Sequence, residues 1–163
     1  MLSFFHQVGF SGLLIALLAL IAIFMAIRGT VLMLLVKKLG ENFLLKIAKD
    51  TDIEDKSLKL SLINSKLFIE LKGIYYAMYY LKLCAAIGPL LGLLGTVLGM
   101  VEVFSTLATT TVPDPALLAG GIWQALLTTV MGLTLAIPAL IVHYFLLINL
   151  RMLRNQVLIL GVK

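Results

Sequence analysis

Between Leu83 and Leu150 the chain is almost wholly apolar, so the few side chains there that could do chemistry stand out. The only carboxylates are Glu102 and Asp114, and no Lys or Arg occurs in that stretch. Thr96 lies eleven residues before Leu107 and Thr129 twelve residues after Leu117. In an antiparallel helical hairpin at about 1.5 Å rise per residue, both threonines sit about 16 to 18 Å from the connecting loop. A hydroxyl both donates and accepts, so a polar level made of Thr96 and Thr129 can hand on a proton or hydrate an ion. The alternative is that each hydroxyl bonds back to a carbonyl of its own helix.

Other polar groups bracket this level. Glu102 lies five residues before Leu107, close enough to reach headgroup water or to line an outer vestibule that concentrates cations. His143 sits at the far end of the second apolar stretch, either as a packed interfacial residue or as a group whose titration range suits proton exit. Thr128 and Gln124 join the same stretch as candidates for a secondary pathway. Pro89 and Pro138 each remove a helical hydrogen bond and can free a carbonyl. Covalent catalysis is not expected: no HExxH, P-loop or nucleophile elbow is present, and Glu102 and His143 fall at opposite ends of the spans. Cys84 is the single cysteine, reads as a small buried residue, and offers neither a disulfide nor, without a His/Cys cluster, a metal site. No cofactor is expected.

The elements that must hold these residues follow from composition. With 61% apolar residues, 13% charged residues and a mean hydropathy of +1.10, the chain reads as an all-α integral membrane protein. All thirteen Lys and Arg fall in two blocks, Arg28 to Lys82 and Arg151 to Lys163. The excess of Lys and Arg on cytoplasmic loops then places the N-terminus outside and both blocks in the cytoplasm, with Asp114 outside. The net charge of +5 is thus topological, and no nucleic-acid surface is expected. The positive charge follows the first apolar run, so residues 10–36 read as a retained first span and its extension, not as a cleaved leader.

After a periplasmic segment 1–9, in which His6 is interfacial, the expected order is that first span, a cytoplasmic helical hairpin over 37–82, a second span over 83–107, an outer loop over 108–116, a third span over 117–150 and a cytoplasmic C-terminus over 151–163. Within the hairpin, Asp50, Thr51 and Asp52 form the turn. Thr51 or Asp52 caps the next helix, and Glu54 and Asp55 fall in its first turn. Leu58, Leu62 and Ile69 alternate with Lys59, Glu70 and Lys72 at helical spacing. Tyr75, Tyr76, Tyr79 and Tyr80 precede the second span as an interfacial belt.

Small residues form stripes on the second and third spans. Gly88, Gly92, Gly95 and Gly99 recur at steps of four and three, and Gly121, Ala125, Thr128, Gly132, Ala136 and Ala139 match them. Such faces let membrane helices approach closely where lipid offers no hydrophobic drive. They fit two uses: packing on each other within one chain, or lining the walls of a ring of copies.

The strings GPLLGLLGTVLGM (Gly88 to Met100), GIWQALLTTVMGL (Gly121 to Leu133) and AIPA (Ala136 to Ala139) resemble the second and third spans of the MotA/TolQ/ExbB proton-channel family, closest to the TolQ/ExbB branch. The resemblance covers Ala86 to about Tyr144. It implies a bacterial inner-membrane protein, one wall segment of a homopentamer around an ExbD- or TolR-like single-span partner whose membrane aspartate carries the proton. Thr96 and Thr129 match the family's pore threonines. The resemblance implies an energiser that uses the proton motive force to drive a partner acting on the envelope or on outer-membrane transport. The rival reading is a non-conducting scaffold. Three positions depart from the pattern: Gln124 stands where many relatives carry an acid, Glu102 where they carry a neutral polar residue, and His143-Tyr144 where Tyr-Asn is frequent. The cytoplasmic segment is also short, which argues against a flagellar-motor role.

Overall fold

A computed structural model describes the backbone of residues 2–49, 56–109 and 115–162, with side chains over 12–37, 58, 61–109, 115–116, 118–157 and 159. These residues form four helices in the order α1 (Leu2–Lys49), α2 (Lys56–Glu70), α3 (Lys72–Thr109) and α4 (Pro115–Val162). The expected turn at Asp50 to Asp52, its capping residues and acids up to Asp55, and Asp114 of the outer loop lie outside the described residues, as does the side chain of His6.

Runs of Leu, Ala, Ile and Met favour helix throughout. Pro115 opens α4, where its missing N–H costs nothing and its fixed φ is already helical. Three helical stretches are long and apolar enough to cross a membrane: Gly12–Lys37, Lys72–Thr109 and Leu118–Val157. At about 1.5 Å per residue, α3 extends about 57 Å, well beyond the roughly 30 Å of bilayer hydrocarbon. Helix α3 starts at Lys72, ahead of the boundary that Lys82 suggests, and α4 continues past Arg151 to Val162. A charged residue marks where water begins, and a helix has no need to stop there.

Leu71 joins α2 to α3 with almost no break. Its N–H donates to the Leu67 carbonyl at 3.0 Å, and its own carbonyl accepts from Ile74 at 2.9 Å and Tyr75 at 3.1 Å. The apolar stripe therefore keeps its phase across the junction: Ile63, Leu67, Leu71, Ile74, Ala77 and Leu81 are all buried.

The chain divides into two compact units. One comprises residues 24–81 and 141–163. Its core is large and aliphatic: Ile63, Leu81, Leu146 and Val157 have no exposed surface at all. Gly29 on α1 lets three helices converge, since a methyl group there would stand 2.9 Å from both Ala77 Cβ on α3 and Leu146 Cδ1 on α4. At the rim the Arg154 Nε donates to the Asn64 Oδ1 at 3.2 Å, tying α4 to α2. The second unit comprises residues 1–23 and 82–140. Its buried side chains are mostly small, with Ala22, Cys84, Ala125, Thr128, Ala136 and Ala139 among them. That unit holds the threonines.

Candidate functional site: a glycine and threonine seam between two spans

Helices α3 and α4 meet backbone to backbone. A methyl group on Gly88 would come within 2.9 Å of the Gly132 carbonyl oxygen, and one on Gly92 within 2.9 Å of Thr129 Cα and 3.0 Å of the Thr128 carbonyl oxygen. A methyl group on Gly132 would collide with the Gly88 carbonyl oxygen. Toward the loop, a methyl group on Gly99 would stand 3.0 Å from the Ala125 side chain, and one on Gly121 would collide with Val103. Gly95 is buried on the same face. Of the two uses that the small stripes fit, packing within one chain is the one seen here: α3 and α4 consume their glycine faces on each other.

This register sets the partners of the threonines. The Thr128 hydroxyl, 2% exposed, is the most deeply buried polar side chain of the seam. It lies 2.7 Å from the Ala125 carbonyl of its own helix and 3.2 Å from the Gly92 carbonyl of α3. The Thr129 hydroxyl donates to the same Gly92 carbonyl at 3.1 Å. Thr96, half-buried one turn further along α3, donates to the Leu93 carbonyl at 2.7 Å. Counting from the loop makes Thr96 and Thr129 level, whereas in the structure the residue opposite Thr129 is Gly92. Helix crossing shifts the register by up to a turn, and a count along each helix cannot register that.

Each threonine has one hydroxyl proton. With those of Thr96 and Thr129 directed at main-chain carbonyls, the two oxygens present lone pairs to anything that approaches. Such a pair accepts from a protonated carboxyl group or a hydronium, and can contribute to an ion's coordination shell. Gly92 was read from sequence only as a packing residue. Its carbonyl is also the hydrogen-bond acceptor on which two α4 hydroxyls converge. The signal available in the sequence was the adjacent pair Thr128-Thr129 facing a glycine stripe.

Glu102 and Gln124 come together. Both line a cavity of about 350 Å³ between α3 and α4 near the loop. Glu102 is exposed, and the hydroxyls of Ser105 and Thr106 donate to its main-chain carbonyl at 2.8 and 3.0 Å, not to its carboxylate. His143 belongs to the other compact unit. Its Nδ1 is 2.9 Å from the Met78 carbonyl oxygen. A carbonyl can only accept, so Nδ1 carries a proton and any further protonation falls on Nε2. The Tyr144 ring stands edge-on to it, 5.4 Å between centroids. Pro89 is half-buried within α3 and Pro138 exposed within α4. Neither touches the threonines in any hydrogen bond observed here.

Comparison with known proteins covers the same helices. The sequence model of the MotA/TolQ/ExbB proton channel family matches residues 35–157. "Biopolymer transport protein exbB1" of Vibrio cholerae is 52% identical over 60 residues, which are 36% of this chain and 26% of that protein. "Biopolymer transport protein ExbB" of Salmonella typhimurium is 44% identical over 64 residues, 39% of this chain and 26% of the relative. "Putative biopolymer transport protein ExbB-like 3" of Synechocystis is 49% identical over 57 residues, 34% of this chain and 27% of the relative. The match thus spans about a quarter of the length of these curated relatives.

Proposed function

The chain is a multi-pass membrane protein that belongs to the MotA/TolQ/ExbB proton channel family, and from that premise we propose that it is the channel-forming subunit of an energy-transducing complex in a bacterial inner membrane. Protons moving down the proton motive force pass along a path that it builds with a partner, and their flow moves the partner. The partner is a single-span protein of ExbD or TolR type whose membrane aspartate carries the proton. Copies of this chain, five by family resemblance, surround it. The N-terminus is periplasmic, and the C-terminus and the helical hairpin over 37–82 are cytoplasmic, as the Lys and Arg blocks favour. No covalent catalysis and no cofactor are involved.

The observation that carries this reading is the pair of half-buried hydroxyls, Thr96 and Thr129, which join the buried Thr128 in a seam built mostly from glycine and alanine. An aspartic acid on the partner is a donor when protonated, and these two oxygens are acceptors. Protonated, it docks on them as a donor; ionised, it binds only if the hydroxyls give up their bonds to the Leu93 and Gly92 carbonyls, so water is the better solvent for it. That difference couples protonation to motion without any charge placed in the wall itself.

The test replaces each hydroxyl by a methyl group. Thr96→Val and Thr129→Val nearly conserve shape, so the complex, measured by native mass spectrometry, is expected to assemble at the parent mass while partner-dependent proton uptake into liposomes is lost. Thr→Ser at either position is expected to retain part of the flux. Valine variants that assemble and conduct like the parent would leave the non-conducting scaffold as the better account.

A further inference from the structure

The cavity near the loop combines one charge with neutral walls. Among the described residues that line it, Glu102 is the only formally charged one. The others that matter are Gln124, which supplies an amide oxygen, and Gly99, Gly120 and Gly121, which supply room. Thr106 adds a hydroxyl, and Val103, Leu107, Ala116 and Leu118 make the rest of the wall apolar. Low-dielectric walls around a charge of one sign focus its field and raise the local concentration of counter-ions. A methyl group on Gly120 would meet nothing within 4 Å, so the cavity is open on that side.

The donor set selects the ligand. A carboxylate and an amide carbonyl are hard oxygen donors, suited to hard cations and not to soft metals. Among the described lining residues, one carboxylate and two neutral oxygen-bearing side chains, Gln124 and Thr106, fall short of the six to eight oxygens that calcium takes, and they balance a single positive charge. We propose that this cavity is a binding site for a hydrated monovalent cation, hydronium or sodium, held by the Glu102 carboxylate with the Gln124 amide oxygen completing its shell. The site loads the cation at the loop end of the α3–α4 pair. It rests on the conduction reading only for what the cation does next; occupancy of the cavity does not depend on it.

The test reads the potential inside the cavity directly. In a Cys84→Ala background, Gly120→Cys places a thiol in the cavity wall where there is space for it. The protein in liposomes is then treated with a cationic trimethylammonium-ethyl methanethiosulfonate and, separately, with its anionic sulfonatoethyl counterpart, and the two labelling rates are compared with those of a free thiol. At low salt the cationic reagent is expected to be favoured by about tenfold or more, the range that field focusing supports. Adding Glu102→Gln is expected to bring the ratio to near one, and Glu102→Asp to preserve it. Sodium chloride that abolishes the preference where equal choline chloride does not would identify sodium as the occupant; equal effects of the two salts are screening and reject sodium, and a preference that then falls on lowering the pH at fixed salt identifies hydronium. A ratio near one in the parent, or one that Glu102→Gln leaves unchanged, overturns the site. Thr96→Val and Thr129→Val are not expected to move the ratio. Lost cation preference with intact proton uptake therefore rejects this site alone, and intact preference with threonine variants that still conduct rejects the conduction reading alone.

Discussion

The two compact units solve helix packing in opposite ways. Residues 24–81 and 141–163 hold their helices together with Ile63, Leu67, Leu71, Leu81, Leu146 and Val157 pointing inward, while α2 turns Ser61, Ser65 and Glu70 outward. Large aliphatic side chains fill that core, although Phe24, Leu34, Phe145 and Ile148 of the same unit face outward. Residues 1–23 and 82–140 invert it. There the glycines, alanines and Thr128 point inward, and Leu90, Leu93, Leu98, Val101, Leu126 and Val130 point outward. Hydrocarbon is as apolar as leucine, so burying leucine within a membrane gains little, whereas close backbone contact gains dispersion energy and hydrogen bonds. The contrast also explains why the threonines sit where they do. The seam is narrow enough there for the Thr128 hydroxyl, 2.7 Å from the Ala125 carbonyl of its own helix, to come within 3.2 Å of the Gly92 carbonyl of the facing one as well.

If this contrast is right, one unit fails when side chains shrink and the other when they grow. Ile63→Ala is expected to have the largest effect, about 2–5 kcal/mol of lost stability, because it opens a cavity at a fully buried site. Sodium dodecyl sulfate titration in mixed micelles, followed by circular dichroism, measures it. A cost under about 1 kcal/mol would mean that the aliphatic core is slack enough to close on the gap. Gly132→Ala comes next, at about 1–3 kcal/mol and toward the upper end, although alanine is the better helix former. The added methyl group meets the Gly88 carbonyl, which is backbone and cannot rotate away. An unchanged midpoint would show that the two helices do not pack as closely as the seam requires.

Thr128→Val sharpens the comparison further. It keeps the shape of the side chain and removes the hydrogen bond to Gly92, so packing and polar contributions separate. Interhelical hydrogen bonds in membranes average about 0.6 kcal/mol and reach about 1.7 kcal/mol, which bounds the expected loss. Thr128→Ser, which keeps the donor, is expected to lose less. Serine losing as much as valine would show that the methyl group contributes as much as the hydroxyl, and a neutral valine would show that the hydroxyl contributes nothing.

Much of this architecture was legible before any coordinates. The steps of four and three through Gly88, Gly92, Gly95 and Gly99 mark one face of a helix, and α3 does bury Gly88, Gly92 and Gly95. The continuation of α1 to Lys49 fits the lack of any proline between Val36 and Lys49, since Lys37 and Lys38 end the apolar run and need not end the helix. What was not legible depends on three-dimensional crossing. Whether the glycine face meets its own chain or another is decided by which partner sits nearest, and both are compatible with the same stripe. The meeting of Thr129 with Gly92 follows from the angle at which α3 and α4 cross, which no residue encodes by itself. Glu102 and Gln124 lie 22 positions apart on different helices, and only the register of the hairpin brings them to one cavity.

The smallest expected effect is the most discriminating, because it asks whether glycine as such matters or only glycine at the seam. Gly120 shares the start of α4 with Gly121, yet a methyl group there would touch nothing within 4 Å, while one on Gly121 would collide with Val103. Gly120→Ala is therefore expected to be neutral or to stabilise by up to about 1 kcal/mol, the gain in helix propensity of alanine over glycine. Gly121→Ala, one residue away, is expected to be destabilising unless the Val103 side chain rotates clear. Both are read by the same detergent titration. Equal losses at the two positions would mean that the α4 start needs backbone freedom whatever its contacts, and the account of the seam as a matter of space alone would then fail at its outer end.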